Sequence, residues 1–218
     1  EILMYGIWQL GAVGVLAGNL KKKKIKNQLN NPMFISNAID LFKEIKIFSK
    51  KYIPKYKPNL SEEALITFET GRGIKLSHYN LLVNTNSVQK ALSLKSKTKI
   101  YCNLEPSTSS WVVFKAILPI YSGCIFDQDK PDLNINTQNG DYKIRYDIKN
   151  LEKFSENDIA ICPENTAAIS IGAEPVHLTN YLIGNKNLKL KGHSVMMGYL
   201  DKELNKICFK KDSLFIRF

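Results

Sequence analysis

Ala64-Leu-Ile-Thr-Phe-Glu-Thr-Gly-Arg-Gly-Ile-Lys-Leu-Ser-His-Tyr-Asn-Leu-Leu82 decides the fold of this 218-residue chain. Ala64 to Phe68 is an apolar run of strand length and reads as a buried strand. Glu69-Thr-Gly-Arg-Gly73 follows, and its two glycines suit a tight turn. Ser77 is placed to cap a helix over Tyr79 to Lys90, with Leu81, Leu82 and Val88 as its buried positions. A buried strand, a short glycine turn and a capped helix therefore form the nucleus.

Upstream, Ile2 to Leu20 is mostly apolar and Lys21-Lys22-Lys23-Lys24 follows it. One reading is a membrane span with a positive flank. Gln9 and Asn19 interrupt that span. The preferred reading splits the stretch into a helix over Ile2 to Leu10, a stop at Gly11 and a strand over Val13-Gly14-Val15-Leu16. Charges after the apolar run, not before it, argue against a signal peptide. Asn37 to Phe48 has helical spacing of Ile39, Leu41, Phe42, Ile45 and Ile47, and Pro54 and Pro58 then mark an extended linker.

Downstream, Trp111 to Tyr121 reads as a helix stopped near Gly123, and Cys124 to Phe126 as a strand. Asp127 to Asp141 is polar and aperiodic, and reads as a loop or a deletion scar. Ile159 to Cys162, Ala168 to Ile171 and Leu188 to Lys191 are short strands. Helices and strands alternate, which places the chain among α/β or α+β proteins.

Apolar residues make up 44% of the chain, enough for a sizeable core and against wholesale disorder. The formal charge is +11, but only Arg72, Arg145 and Arg217 among 31 cationic side chains are arginine. Lysine is a point charge without the planar fork that reads guanine and clamps phosphate. An acidic carrier protein or an anionic membrane surface is the more natural electrostatic partner than nucleic acid. Cys102, Cys124, Cys162 and Cys208 have no CxxC spacing and no histidine at zinc-ligand distance, so reduced core cysteines in a cytoplasmic protein are expected. The chain begins at Glu1, as expected of a piece of a longer product.

The strand–turn–helix stretch resembles the phosphate-loop region of the adenylate-forming (AMP-binding) acyl-activating superfamily. That pattern is a strand, T-S-G-T-T-G-x-P-K-G, a hydrophobic pair, then [ST]-H-x-N-L. Ser77-His-Tyr-Asn-Leu81 matches the last element. Further blocks resemble the same superfamily in the same order. They are Tyr5-Gly-Ile-Trp-Gln-Leu-Gly-Ala-Val13, Ala116-Ile-Leu-Pro-Ile-Tyr-Ser-Gly-Cys-Ile-Phe126, Glu164-Asn-Thr-Ala-Ala-Ile-Ser-Ile171, and Asp212-Ser-Leu-Phe215. The most specific is Leu188-Lys-Leu-Lys-Gly-His-Ser-Val-Met-Met-Gly-Tyr-Leu200, which resembles L-x-V-x-G-P-x-V-M-x-G-Y-L. The combination looks most like the acyl-[acyl-carrier-protein] synthetase half of acylglycerophosphoethanolamine acyltransferase proteins, enzymes of fatty acid and phospholipid metabolism.

The resemblance implies an α/β fold: a partial adenylate-forming N-terminal domain, mixed sheets flanked by helices, with an internal deletion. It divides the chain into a partial AMP-binding subdomain over 1–126, a loop or scar over 127–158, and a partial β-rich subdomain over 159–218 that ends before the C-terminal synthetase domain. It implies ATP and Mg²⁺ as cofactors, a fatty acid as substrate, and acyl carrier protein or CoA as thiol acceptor. A location in the cytoplasm, with contact to the inner face of the membrane, goes with it. The implied chemistry is attack of a carboxylate on the α-phosphate of ATP, then transfer of the acyl group to a thiol.

Residue by residue, Thr70, Gly71, Arg72 and Gly73 stand for the ATP-binding loop, with Arg72 at the lysine position. Glu164 stands for the metal-linked glutamate. The loop is several residues short, and Glu69 replaces a neutral hydroxyl where an acid would repel polyphosphate. Ile161-Cys162-Pro163 replaces the residues that stack on adenine. The ribose Asp and catalytic Lys have no counterpart. His78 suits a structural place at a helix start, His193 a surface loop, and His177 has no evident partner. A ligase remnant, inactive alone, is the first expectation. The alternative is a non-catalytic protein that binds an acyl chain, a carrier protein or a membrane surface.

Overall fold

A computed structural model of the protein describes residues 1–35, 53 and 55–218. The helix expected over Asn37 to Phe48, and Pro54, lie outside the described residues.

The amino-terminal stretch divides as its glycines require. Helix α1 (Ile2–Gln9) buries Met4 and Trp8. Gly11 turns the chain with φ +71, a left-handed conformation that glycine adopts without strain. Strand β1 (Gly14–Leu16) follows, and then the short helix α2 (Lys22–Gln28). Among the described residues, no helix is long and apolar enough to cross a membrane. Trp8 Nε1 donates to the Ala64 carbonyl at 2.8 Å, which ties α1 to the central strand.

That strand is β2 (Glu63–Thr67). It pairs in parallel with β1 and antiparallel with β3 (Ile74–Ser77). Ser77 then starts α3 (His78–Ala91) with a reciprocal cap. Its hydroxyl accepts from Asn80 N at 3.1 Å, and Asn80 Oδ1 accepts from Ser77 N at 3.0 Å. Leu81 and Val88 are buried as the spacing predicts. Leu82 is instead 36% exposed, because α3 turns that flank away from the sheet.

Strand β4 (Lys99–Cys102) leads to α4 (Ser109–Trp111), which widens into a π-helix over Val112–Ile117 and tightens again as α5 (Leu118–Ser122). Pro119 gives the reason. It lacks an N–H, and its ring would collide with the Lys115 carbonyl in a regular α-turn. Gly123 caps the helix with φ +70.

The polar segment after β5 (Ile125–Phe126) is not the bare loop that its aperiodic sequence suggests. It contains β6 (Leu133–Ile135), which pairs in parallel with β4, and β7 (Lys143–Arg145) comes soon after. These strands are three residues long, too short for alternation to show, and they exist through partners distant in sequence. A 3₁₀ segment, Ile148–Lys153, leads on to β8 (Asp158–Ile161).

The remaining strands are β9 (Ala168–Ile171), β10 (Glu174–Pro175), β11 (Thr179–Gly184), β12 (Asn187–Gly192), β13 (Gly198–Tyr199), β14 (Phe209–Lys210) and β15 (Ser213–Arg217). Helix α6 (Lys202–Cys208) lies between β13 and β14. Among the described residues four sheets result, with strand orders β1-β2-β3-β13, β5-β4-β6, β10-β9-β8-β7 and β11-β12-β15-β14. Sheets with mixed pairing flanked by helices make the class α/β. One apolar cluster runs from Met4 to Ile216, so the sheets share a core.

Candidate functional site

The turn between β2 and β3 carries the expected phosphate-loop residues. Gly71 closes it: φ is +77, and its N–H donates to the Phe68 carbonyl at 2.8 Å. Thr70, Gly71 and Arg72 are exposed while Gly73 is buried. Gly73 must lack a side chain, since a Cβ there would lie 2.3 Å from Leu200 Cδ1 and 3.1 Å from Phe68 Cε1.

Leu200 approaches because β13 pairs with β3, setting Gly198 against Lys75 and Tyr199 against Ile74. Leu200 N donates to the Gly73 carbonyl at 2.7 Å. The two most distinctive sequence blocks, 64–82 and 188–200, thus meet behind the turn.

Tyr199 links the turn to Glu164. The Arg72 guanidinium carbon lies 5.9 Å from the centre of the Tyr199 ring. The Tyr199 hydroxyl donates to Glu164 Oε1 at 3.0 Å. Burial, reinforced by the Glu164 charge, raises the Tyr199 pKa, so the phenol stays a donor. The other carboxylate oxygen accepts from Cys162 Sγ at 3.4 Å. Complete burial and the same carboxylate hold the Cys162 thiol well above its ordinary pKa. Glu164 is 4% exposed.

Backbone strain sets the Glu164 position. Thr166 has φ +70 and ψ −60, and Ala167 N donates to the Asn165 carbonyl at 2.8 Å. This γ-turn with positive φ is rare and costly for a β-branched residue. The Thr166 hydroxyl donates to the Ser194 carbonyl at 2.7 Å, and Met196 N donates to the Glu164 carbonyl at 2.8 Å. The 188–200 block therefore fastens both the β2–β3 turn and the Glu164 turn.

Glu69 turns inward. Its Oε1 accepts from Ser109 N at 3.2 Å and from the Ser109 hydroxyl at 2.6 Å, at the start of α4. Burial raises its pKa, against the lowering effect of the Ser109 hydrogen bonds and with a further rise from the Glu164 charge. The expected repulsion between Glu69 and an anion at the turn is weakened by direction, because the carboxylate faces Ser109.

Two clefts flank the turn. One, about 360 Å³, is lined by Gln28, Gly71, Arg72, Tyr199 and Asp201. The Asp201 side chain is engaged in capping α6, accepting from Glu203 N at 2.9 Å and Leu204 N at 3.2 Å. The other, about 290 Å³, is lined by Asn19, Glu69, Glu105 and Thr108.

The surroundings of Glu164 do not fit a magnesium ion. Mg²⁺ demands an octahedron of oxygen ligands. Here both carboxylate oxygens already hold protein donors. Among the described residues, no group of three or more His, Cys, Asp or Glu side chains is arranged to hold a metal. The turn is better suited to an anion, with Arg72 and the Thr70 hydroxyl on its exposed side.

No protein-family model matches the chain, and no curated protein matches it at a significant level. Solved structures do. McyG A-PCP complexed with phenylalanyl-adenylate superposes with a TM-score of 0.75 and 14% identity, covering 97% of this chain and 52% of that one. The chain has an adenylation-domain fold. The anthranilate CoA ligase AuaEII in complex with anthranoyl-AMP gives a TM-score of 0.71 at 13% identity, over 97% of this chain and 60% of that one. o-Succinylbenzoate CoA synthetase (MenE) from Bacillus subtilis, bound to a product analogue, gives 0.61 at 12% identity, over 98% of this chain and 57% of that one. At such identities the likeness concerns the adenylation fold alone. The chain spans about half the length of the first of these structures.

Tyr199, Ser109, Cys162 and Thr166 were not among the candidate site residues read from the sequence. Gly198-Tyr-Leu200 was legible as a motif, but nothing local assigns its phenol to Glu164. His78 lies at the first position of α3, its ring 5.7 Å from that of Trp8, and burial lowers its pKa. His193 is exposed, with Nδ1 2.7 Å from the Tyr79 hydroxyl. All four cysteines are free.

Proposed function

We propose that this chain is the relic of an acyl-adenylate-forming ligase that keeps an anion-binding turn and has lost turnover on its own. In this reading Thr70, Gly71, Arg72 and Gly73 accept one phosphoryl group of ATP or pyrophosphate. Glu164 has become an internal hydrogen-bond acceptor that buttresses Tyr199, not a metal ligand. The ancestral reaction joined a fatty acid to AMP and passed the acyl group to a thiol of a carrier protein or CoA, as in acyl-[acyl-carrier-protein] synthetases.

The observation that carries this reading is the satisfied Glu164 carboxylate, with Tyr199 on one oxygen and Cys162 on the other. Transfer of the adenylyl group of ATP to a carboxylate, with pyrophosphate leaving, needs charge stabilisation along the whole triphosphate. In the stretch Glu69 to Gly73, Arg72 is the only cation. One fork can clamp one phosphoryl group.

Calorimetric titration with pyrophosphate and with ATP, with and without Mg²⁺, tests the assignment. Weak binding that is indifferent to Mg²⁺ and is lost in Arg72→Ala supports it. Tight Mg²⁺-dependent binding of ATP that survives Arg72→Ala overturns it.

A further inference from the structure

The amino-terminal segment carries charge of one sign. From Ile2 to Ile39 there is no Asp or Glu, while Lys21, Lys22, Lys23, Lys24 and Lys26 crowd into one short stretch. All five lysines are exposed. Ile25, 1% exposed, is the buried anchor of α2 and packs in a small cluster with Ile66 and Phe68. Among the described residues, ion pairs engage Lys75, Lys99, Arg145 and Lys206, and none of these five lysines. A lysine cluster held out by one apolar anchor and left without acidic neighbours in sequence is a persistent positive surface.

An apolar tip lies beside it. The Lys22 and Lys26 ammonium groups are 5.4 and 5.7 Å from the centre of the Phe34 ring. These contacts bring the stretch around Phe34 to the lysine face. Its neighbours Met33 and Ile35 are 85% and 40% exposed. Exposed aliphatic side chains next in sequence to a lysine-contacted ring match the boundary between lipid headgroups and acyl chains.

We infer that this face lies on an anionic lipid bilayer, with the lysines at the headgroups and Met33 and Ile35 entering the acyl boundary. Charge complementarity selects the occupant. Nucleic acid would call for arginine forks and open aromatic faces on which bases stack. The cations of this segment are all lysines, and two of them already sit against the Phe34 ring. The inference is independent of the nucleotide reading, since it uses no residue of the β2–β3 turn.

Co-sedimentation of the whole chain with vesicles of phosphatidylcholine, with and without phosphatidylserine, at low and high salt, tests it. A lysine near such a surface contributes about 5-fold in affinity, roughly 1 kcal/mol. The variant K21Q/K22Q/K23Q/K24Q/K26Q is therefore expected to lose on the order of 100-fold or more, with an unchanged thermal unfolding curve. Met33→Asn is expected to weaken what binding remains at high salt, where charge is screened. If the five-lysine variant failed to fold, the dependence of the intact chain on phosphatidylserine and on salt would decide alone. Equal sedimentation with neutral and anionic vesicles overturns the inference. So does undiminished binding by the folded variant, or capture by a DNA duplex in place of the vesicles.

Discussion

The Tyr199 hydroxyl donates to Glu164 Oε1 at 3.0 Å, joining the strand behind the β2–β3 turn to the strained turn between β8 and β9. Both side chains are buried, so the bond has no water to replace it. Tyr199→Phe removes the donor and leaves a buried carboxylate oxygen short of a partner, which costs about 1–3 kcal/mol. Urea unfolding should show a lowered midpoint at constant slope. A midpoint equal to that of the unaltered chain would remove Glu164 from the internal role assigned to it.

Glu69 gives stability a pH dependence of definite sign. Burial raises its folded-state pKa above the ordinary value of 4.5. The folded state then holds a proton that the unfolded state has released. The stabilising contribution is fully present below about pH 4.5 and is lost as pH rises through the raised folded value. Glu69→Gln keeps an oxygen for Ser109 and abolishes the titration. The unaltered chain should lose stability relative to Glu69→Gln as pH rises from about 4.5 to the raised folded value, by at most about 1.4 kcal/mol per pH unit, and the two should run parallel above it. Stability curves parallel over the whole range would contradict the burial of this carboxyl.

Gly192 marks the end of β12, where the backbone passes close to another segment. Its φ is +146, and a Cβ there would lie 2.2 Å from the Leu178 carbonyl oxygen. That neighbour is backbone and cannot rotate away. Gly192→Ala should cost about 2–4 kcal/mol in thermal or urea unfolding, the range for strain at a special backbone position. A change below half a kcal/mol would show that the loop before β11 moves freely.

Arg72 is exposed, and its stacking on Tyr199 is loose. Arg72→Ala should therefore change stability by about 1 kcal/mol or less. The same change should abolish pyrophosphate binding in calorimetry. Loss of both stability and binding would recast Arg72 as a structural residue.

The parts of the fold that were legible in the sequence are those set by local chemistry. Gly11 divides the amino-terminal apolar stretch, Ser77 and Asn80 cap α3, and Gly123 stops the helix before β5. Each works through its own backbone or a neighbour three residues away. The site was legible only as a turn. The inward rotation of Glu69 depends on Ser109, forty residues on, and the use of Glu164 depends on Tyr199 from another sheet. β6 and β7 escaped for the same reason, since their hydrogen bonds go to β4 and β8 and their three residues each leave no pattern. Leu82 looked like core because it follows Leu81, yet adjacent helix positions face different ways.

ATP–pyrophosphate exchange with a fatty acid and Mg²⁺ present tests the central claim most directly. The account predicts exchange no faster than a protein-free control, because Glu164 is committed to Tyr199 and Cys162 and one arginine serves the turn. Exchange that depends on both the fatty acid and Mg²⁺, and is lost in Arg72→Ala, would contradict it and establish a working adenylating site.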